Sequence, residues 1–234
     1  MSFIYFWDYL YIFLKMKTIA IIPARGGSKR LPNKNSILLN GIPLLAHSIL
    51  FAKKHSFIDT VYVTTNDENI KKAAIECGAV VIDRPENLSG DFEPTVSAMK
   101  HVLQNISPVE NVILLQPTNP LRPNDLLNEA FEIFIKNNCD SLFTVSRNHQ
   151  KLGKINDNKF QPFNYEIGQR SQDLESLFFE NGLLYISKSN LIFDNIIISE
   201  NAFPFEVNHI FANVDIDTQE DLNYAKYLIQ NSKI

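Results

Sequence analysis

Four cationic side chains surround a Gly-Gly pair near the start of the chain. Arg25, Lys29, Arg30 and Lys34 fall within residues 23–35, which also contain Gly26, Gly27 and Ser28. The preceding residues, 18–22, are apolar and typical of a buried strand. Glycines allow backbone N–H groups to approach phosphate oxygens, and the cations supply compensating charge. The pattern therefore predicts a loop that binds a polyphosphate.

The spacing of this basic loop differs from that of the familiar nucleotide-binding motifs. The chain contains neither the Gly-x-x-x-x-Gly-Lys-Ser/Thr of a Walker A loop nor a Gly-x-Gly-x-x-Gly. A solvated basic turn is the alternative interpretation. Two prolines and two asparagines accompany the four cations within thirteen residues, and this density favours phosphate binding.

Two carboxylates near the C-terminus form a second candidate site. Asp215 and Asp217 lie in Val-Asp-Ile-Asp-Thr, where alternate residues of an extended segment point to the same side. Paired carboxylates repel each other unless a cation lies between them. Mg²⁺ suits this position because it retains several waters and bridges to substrate phosphates. Alternatively, Asp217 or Thr218 only caps the last helix.

A polar turn between two prolines is the third candidate. In residues 115–122, Gln116, Thr118 and Asn119 offer neutral donors and acceptors beside Pro117 and Pro120. Such groups suit an uncharged, hydroxyl-rich ligand such as a sugar. An ordinary proline-rich connection is the alternative.

Alternating strands and helices must position these groups. Helices are predicted at residues 43–55, 67–77, 95–106, 124–137 and 218–229, the last beginning at a capping-box-like pair, Thr218 and Asp221. Strands are predicted at residues 18–22, 60–64, 80–82, 111–115, 141–145, 183–186 and near 209–211. This order predicts an α/β fold, a mostly parallel sheet with helices on both faces and ligands at the carboxyl ends of the strands.

The alternation stops between about residues 147 and 181. This stretch is polar and rich in Gly, Asn and Pro, with short apolar pieces between them. A structureless connection of this length is unusual inside a compact domain. We therefore expect a single domain over residues 16–234 with an inserted dimerisation arm at about 147–180. A flexible surface loop is the alternative.

Composition limits the function classes. The 234 residues are 45% hydrophobic and 21% charged, which is typical of a soluble globular protein. The net charge of −4 argues against a nucleic-acid partner held by a basic surface. Cys77 and Cys139 lack metal-ligand spacing and indicate a reducing compartment, so we expect a cytoplasmic protein without a membrane partner.

The N-terminal residues are unusual. Residues 1–14 are crowded with aromatic and aliphatic side chains, yet they are too short for a membrane-spanning helix of about 20 residues. They also lack the charged start and the cleavage site of a signal peptide. We expect residues 1–15 to be a non-native or dispensable leader before a start at Met16. A weak membrane-surface anchor is the alternative.

Together these motifs resemble those of the acylneuraminate cytidylyltransferases, the CMP-sialic acid synthetases. The resemblance runs from Lys17 to the C-terminus. It is carried, in order, by residues 22–29 with Lys34 and Asn35, by Arg84-Pro85 before Leu88, by residues 115–122, by Asn181-Gly182 with Tyr185, and by residues 215–218. The resemblance implies a Rossmann-like nucleotidyltransferase fold.

The resemblance also implies a reaction. The anomeric hydroxyl of an acidic nine-carbon 2-keto sugar attacks the α-phosphorus of CTP, giving a CMP-sugar and pyrophosphate with Mg²⁺ as cofactor. The family further implies a homodimer. The implied catalytic residues are Arg25, Lys34 and Asp217, and the metal ligands are Asp215 and Asp217. The implied nucleotide-binding residues are Ala24, Arg25, Gly26, Gly27, Ser28, Lys34, Asn35, Arg84 and Thr95, and the sugar-binding residues are Gln116, Arg170, Gln172, Asn181 and Tyr185.

Two departures from the family pattern bear on the sugar. Arg30-Leu31 stands where the family often has Gly after the loop Lys, a form that also resembles synthetases acting on legionaminic and pseudaminic acids. Ser171 stands where an Arg commonly precedes Gln172. Arg170 is therefore the local candidate for the sugar carboxylate, because its planar fork matches a carboxylate.

Two other hypotheses remain. The nucleotidyltransferase that activates ketodeoxyoctonate has a loop of different sequence, which Gly26-Gly27-Ser28 and Asn33 fit poorly. A non-catalytic nucleotide-sugar binding protein on the same fold would be expected to lose Lys34 or the Asp215/Asp217 pair. All three residues are present.

Overall fold

A seven-stranded sheet forms the centre of the computed structural model, which describes residues 17–231. Its strands are β1 (Thr18–Pro23), β4 (Thr60–Thr65), β5 (Val80–Asp83), β6 (Asn111–Leu114), β7 (Ser141–Asn148), β10 (Leu177–Lys188) and β11 (Phe203–Glu206). Two small hairpins lie outside it: β2 (Leu38–Leu39) with β3 (Ile42–Pro43), and β8 (Gly153–Asn156) with β9 (Lys159–Pro162).

Six α-helices accompany the strands in this part of the chain. They are α1 (Leu44–Lys53), α2 (Glu68–Glu76), α3 (Thr95–Gln104), α4 (Leu126–Lys136), α5 (Ser189–Phe193) and α6 (Gln219–Asn231). None of the helices within residues 17–231 is long and apolar enough to cross a bilayer.

The sheet order is β11-β7-β10-β6-β1-β4-β5. Strand β1 pairs in parallel with both β4 and β6, and β4 pairs in parallel with β5. Within this sheet only β10 runs antiparallel to its neighbours, β6 and β7. The predicted mostly parallel sheet is confirmed.

Helices cover both faces of the sheet. Successive side chains of β1 point to opposite faces, and each face packs against its own set of helices. Ala20 and Ile22 pack with α1, α2 and α4, in a cluster whose largest side chains include Phe131 and Phe134. Ile19 and Ile21 pack on the opposite face with α3 and α5. Each large apolar side chain buried in this way contributes about 1.5–3 kcal/mol.

A third apolar cluster joins the two ends of the chain. Leu31 of the basic loop packs with Val214 and Ile216 of the acidic segment and with Leu222 and Leu228 of α6. The cluster therefore holds the basic loop beside the acidic pair, although about 180 residues separate them in the sequence.

Most predicted elements are confirmed, but the strand expected near residues 209–211 is wrong. The chain forms a 3₁₀ helix there, over Ile210–Asn213, and the Nδ1 atom of His209 accepts a hydrogen bond from the N–H of Phe211 at 3.2 Å. The strand lies earlier, at Phe203–Glu206, where it pairs with β7 at the edge of the sheet. Its proline is tolerated because an edge strand does not need every N–H in the ladder.

The inserted segment is built of short strands and turns, as predicted. Strand β7 extends to Asn148 and β10 begins at Leu177, so these two strands carry the β8–β9 hairpin between them. Strand β10 is longer than the predicted strand at 183–186, and its register shifts between Glu180 and Tyr185. The expectations for residues 1–15 lie outside the described residues.

Candidate active site

The carboxyl ends of four parallel strands meet at one edge of the sheet, as in other open α/β sheets. The basic loop follows β1, Asn66 follows β4, Arg84 follows β5 and Gln116 follows β6. A cavity of about 200 Å³ opens there. Seven of the predicted site residues line it: Arg25, Ser28, Lys34, Asn35, Arg84, Thr95 and Gln116.

The basic loop is held by hydrogen bonds to β4 and to itself. The Ala24 and Gly26 N–H groups donate to Thr64 O and Asn66 Oδ1, each at 3.0 Å. The Nδ2 atom of buried Asn35 donates to Arg25 O at 3.0 Å. Gly27 has a φ of 70°, a left-handed conformation that glycine adopts without steric cost. Because the Ala24 and Gly26 amides are engaged within the protein, these two residues contribute loop shape.

The four cations of the basic loop pair with two carboxylates. Arg25 and Lys29 form ion pairs with Asp91, and the Arg25–Asp91 distance is 2.8 Å. Arg30 and Lys34 pair with Asp217 at 2.6 and 2.7 Å. The structure thus brings the predicted catalytic residues Lys34 and Asp217 into direct contact.

Arg84 is a buried cation beside this loop. Its Nη2 and Nε atoms donate to Thr64 O at 2.6 Å and Thr64 Oγ1 at 3.3 Å. Among the ion pairs of residues 17–231, none involves Arg84. Burial, and then the charge of Arg25, lowers the pKa of Arg84 to about 10. An anionic or carbonyl-rich ligand would compensate this charge.

Asp215 and Asp217 lie close enough together for the charge of Asp217 to act on the Asp215 carboxyl, and Lys34 acts on it in the opposite sense. Val214 and Ile216 are buried in the third cluster, whereas Asp215 is exposed as a residue although its carboxyl group is partly desolvated. The N–H of Ile216 donates to Thr118 O at 2.7 Å, which fixes the acidic segment to the polar turn. Loss of surrounding water raises the pKa of the Asp215 carboxyl; a hydrogen bond with the Thr118 side chain opposes the shift, and the charge of Asp217 adds to it.

The capping of α6 does not use the Asp217 side chain. The Asp221 Oδ2 atom accepts from the backbone N–H groups of Asp217 and Thr218, at 3.0 and 2.8 Å. Thr218 Oγ1 accepts from the N–H of Asp221 at 3.3 Å. Thr218 and Asp221 therefore form the capping box, and the Asp217 carboxylate is directed to Lys34 and Arg30.

The donor set suits a metal ion that keeps other ligands. Within residues 17–231, no group of three or more His, Cys, Asp or Glu side chains is arranged to hold an ion alone. Two neighbouring carboxylates with a raised pKa at Asp215 fit Mg²⁺, which typically binds one or two carboxylates together with waters and substrate phosphates.

Buried Arg122 organises the polar turn. Its guanidinium donates to Leu183 O at 2.7 Å, to Ser48 Oγ at 3.0 Å and to Gln116 O at 2.9 Å. Burial lowers the pKa of Arg122 to about 9. These bonds fix the backbone on which Gln116 faces the cavity.

Asn119 and Asn181 connect the turn to β10. Asn119 Nδ2 donates to Asn181 O at 3.2 Å and to Val214 O at 2.9 Å. Asn181 Oδ1 accepts from Thr144 Oγ1 at 2.6 Å, and its Nδ2 donates to Ser146 Oγ at 2.9 Å. This buried network joins three of the motifs.

The predicted sugar-binding residues do not all line this cavity within a single copy of the chain. Gln116 lines the cavity, and Tyr185 in β10 donates its hydroxyl proton to Glu180. Burial and Glu180 raise the pKa of Tyr185. Arg170 and Gln172 are exposed at a 3₁₀ turn, where Arg170 bonds Asp173 at 2.7 and 3.0 Å, and neither lines this cavity.

Sequence reasoning missed Asp91, Asn66 and Arg122. The pairing of Asp91 with Arg25 joins residues 66 positions apart and follows no local spacing. Arg122 had a signal, since a cation directly after an apolar residue in a turn rich in Pro and Asn is a candidate for binding backbone carbonyls.

Comparison with known proteins defines the class. A family model described as cytidylyltransferase matches residues 19–234. The chain belongs to this family and is a nucleotidyltransferase.

Individual relatives refine the comparison. The chain is 33% identical to a pseudaminic acid cytidylyltransferase of Campylobacter jejuni, over 91% of this chain and 96% of the relative. It is also 33% identical to a CMP-N,N'-diacetyllegionaminic acid synthase of Legionella pneumophila, over 92% and 97%. An N-acylneuraminate cytidylyltransferase of Streptococcus agalactiae is 29% identical over 88% of this chain, which spans 52% of that protein.

Solved structures share the fold. A CMP:2-keto-3-deoxy-manno-octonic acid synthetase complexed with CTP has a TM-score of 0.70 at 18% identity, covering 92% of this chain and 98% of the other. A 4-diphosphocytidyl-2C-methyl-D-erythritol synthase from Anaerococcus prevotii has a TM-score of 0.66 at 15% identity, over 94% and 99%. The predicted Rossmann-like nucleotidyltransferase fold is confirmed.

Proposed function

We propose that the protein transfers CMP from CTP to the anomeric hydroxyl of a sialic-acid-like nine-carbon 2-keto acid sugar, releasing pyrophosphate. One observation carries the proposal: Arg25, Lys34, buried Arg84 and Gln116 line a single cavity, and Lys34 bonds the Asp217 carboxylate beside it. The names of the Campylobacter and Legionella relatives support a sugar of this class.

The residues divide the task between phosphate and sugar. Arg25 and Lys34 hold the triphosphate against the loop of residues 26–28. Asn35, Arg84 and Thr95 bind the cytosine and ribose, since each lines the cavity. Gln116 orients the sugar, and Tyr185, Asn181, Arg170 and Gln172, which do not line this cavity in a single copy of the chain, complete the sugar pocket in the homodimer proposed below. Positioning and charge compensation then supply most of the rate.

The displacement needs no covalent enzyme intermediate. The sugar hydroxyl oxygen forms a bond to the α-phosphorus as the bond to the bridging oxygen of the β-phosphate breaks, and pyrophosphate leaves. The hydroxyl proton passes to solvent or to a carboxylate of the Asp215/Asp217 pair. Mg²⁺, held by Asp215 and Asp217 together with substrate phosphates, would neutralise negative charge on the α-phosphate.

A pyrophosphate-release assay tests the reaction. The enzyme is incubated with Mg²⁺ and CTP, UTP, ATP or GTP, and with N-acetylneuraminic, deaminated neuraminic, legionaminic or pseudaminic acid. We expect release only with CTP and one or a few of these acids. Comparable turnover with UTP or ATP would contradict the cytosine assignment. CTP binding without turnover on any acid would favour a nucleotide-sugar binding protein.

The sugar preference is a finer question within this proposal. The relatives at 33% identity act, by their names, on pseudaminic and on diacetyllegionaminic acid, and both cover nearly the whole chain. The Arg30-Leu31 form of the basic loop also resembles that of synthetases acting on legionaminic and pseudaminic acids. We therefore propose these two acids as the first substrates to test.

We also propose a homodimer formed through the inserted arm. Its apolar side chains are unusually open to solvent: Ile155 is 75% exposed, Phe163 69% and Ile167 84%. Such a concentration is typical of an interaction surface. A partner subunit on this surface would bring a second arm close to the sugar-binding region. Sedimentation that shows a fully active monomer at assay concentration would contradict the proposal.

A further inference from the structure

The loop of residues 89–94 places a carboxylate on the cations expected to bind phosphate. Asp91 pairs with Arg25 at 2.8 Å and with Lys29, and Arg25 also donates to Ser89 O of the same loop at 3.4 Å. These hydrogen bonds, first from Lys29 and then from Arg25, hold the pKa of Asp91 below its usual range, so the carboxylate is ionised at neutral pH.

The same loop forms one wall of the cavity. Gly90 and Glu93 line it together with Arg25 and Lys34. Phe92, between Asp91 and Glu93, is 100% exposed, so its ring is not packed against any other described residue. The Arg25 and Asp91 side chains are themselves 35% and 28% exposed. Ion pairs accessible to solvent contribute little free energy, so replacing the carboxylate with another anion costs little.

We propose that Asp91 is an internal counter-anion for Arg25 and Lys29. The phosphates of CTP displace its carboxylate when CTP binds, and the carboxylate returns to the two cations when pyrophosphate leaves. The inference rests on the proposed function, in which Arg25 holds the triphosphate, and it adds Lys29 as a second cation that binds the β- and γ-phosphates. Arg25 lies close enough to Arg84 to lower its pKa, so an unneutralised Arg25 would add repulsion inside the cavity. Asp91 removes that repulsion between turnovers.

If Asp91 has this role, the effect of removing its charge on ligand affinity depends on whether the ligand carries phosphates. Ligands that carry the β- and γ-phosphates must displace Asp91, whereas cytidine need not. Removing the Asp91 charge should therefore tighten binding of CTP and pyrophosphate and leave cytidine unchanged. A purely structural carboxylate would instead weaken all three or none.

The experiment compares Asp91→Asn with wild type by calorimetry, using CTP, pyrophosphate and cytidine in one Mg²⁺ buffer. We expect dissociation constants about three- to tenfold lower for CTP and pyrophosphate, given that exposed ion pairs contribute little each. The difference should shrink as salt rises, because screening weakens exposed pairs. In the assay, the variant should be inhibited by less pyrophosphate than wild type.

Asp83→Asn is the matched control. Asp83 is also an exposed carboxylate in an ion pair, with Lys71 at 2.7 Å, and neither residue lines the cavity. It removes the same charge from the protein, so its CTP and pyrophosphate affinities should stay at the wild-type values. Thermal unfolding of both variants shows whether they remain folded. If Asp91→Asn does not fold, Asp91→Ser is used in its place.

Unchanged or weaker pyrophosphate binding by folded Asp91→Asn would overturn the counter-anion role. So would an equal gain in Asp83→Asn, because the effect would then reflect net charge alone. Wild-type protein that binds neither CTP nor pyrophosphate would overturn the proposed function and the counter-anion role with it. Wild-type binding with no effect of the substitution would overturn the counter-anion role only.

Discussion

Asp215 and Asp217 have different surroundings although they lie two positions apart. Asp217 is neutralised by Lys34 and Arg30, at 2.7 and 2.6 Å. No ion pair within residues 17–231 involves Asp215, and loss of surrounding water raises the pKa of its carboxyl although the charge of Lys34 opposes the shift. A metal ion would therefore gain most from Asp215, while Asp217 also positions the lysine expected to bind phosphate.

Asp215→Asn and Asp217→Asn should each lower turnover by orders of magnitude, because one ligand charge is lost at the metal site. Turnover is measured at saturating Mg²⁺, with thermal unfolding as a check on the fold. Asp221→Asn, which alters the capping box of α6, separates loss of helix capping from loss of the ligand. A rate above about a tenth of wild type in either aspartate variant would exclude the ligand role.

Gly182 lies where the polar turn, β10 and the acidic segment meet. Its φ is 75°, and a Cβ atom there would lie 2.9 Å from the Oδ1 atom of Asn119. Asn119 in turn bonds the backbone of β10 and of the acidic segment. Glycine at this position therefore allows the polar turn to approach β10.

Gly182→Ala should lower the free energy of unfolding by roughly 1–3 kcal/mol, from the strained backbone and the displaced Asn119. Denaturant unfolding measures the change. Gly168→Ala is the matched control, since Gly168 has a φ of 93° but no atom of residues 17–231 lies within 4 Å of its added Cβ. Equal losses in the two variants would mean that backbone strain alone is responsible and that the Asn119 contact is dispensable.

Among the elements, the arm and the C-terminal helix serve different purposes. Helix α6 begins at a capping box and packs against Leu31 of the basic loop, so it stabilises the position of that loop. The arm carries exposed apolar and cationic side chains away from the sheet. Lys151 of the arm bonds Gln169 O and lies 5.2 Å from the ring centre of Tyr165, whereas Lys154 extends from exposed β8.

Lys151→Ala or Lys154→Ala should raise the sugar KM and leave CTP binding nearly intact, because in the proposed dimer each lysine lies near the partner's acidic sugar. Initial rates at varied sugar and CTP measure the two effects separately. Lys159→Ala, on β9 of the same hairpin, serves as the charge-matched comparison. Unchanged KM values in both variants would assign the two lysines to solvent.

At the scale of the whole molecule, the region matched by the family model outlines the catalytic domain. The family model begins at residue 19, within β1. We therefore retain the prediction that the catalytic domain folds and acts without the residues that precede Met16.

Deletion of residues 1–15 should leave specific activity and solubility unchanged. The truncated and full-length proteins are compared in the pyrophosphate-release assay and by light scattering. A large loss of activity would show that the aromatic leader packs onto the domain, and a loss of solubility alone would indicate a role in assembly.

Local chemistry in the chain was sufficient to predict most of the architecture. Apolar segments at the spacing of strands, separated by capped helices, indicated the parallel sheet, and the Gly-Gly loop after β1 is the basis of the proposed phosphate site. These features are readable because periodicity, capping and turn formation depend on neighbouring residues. Residues 209–211 were misassigned because a short apolar segment does not distinguish a strand from a 3₁₀ turn.

Only the folded chain decided which distant groups meet. The pairing of Lys34 with Asp217, the placement of Arg25 beside Asp91, and the Asn119–Asn181 network join residues 62 to 183 positions apart. Their contacts depend on sheet order and on the third apolar cluster, neither of which leaves a local pattern. The parallel sheet brings strand ends to one edge, and packing of α6 then places the acidic segment against the basic loop.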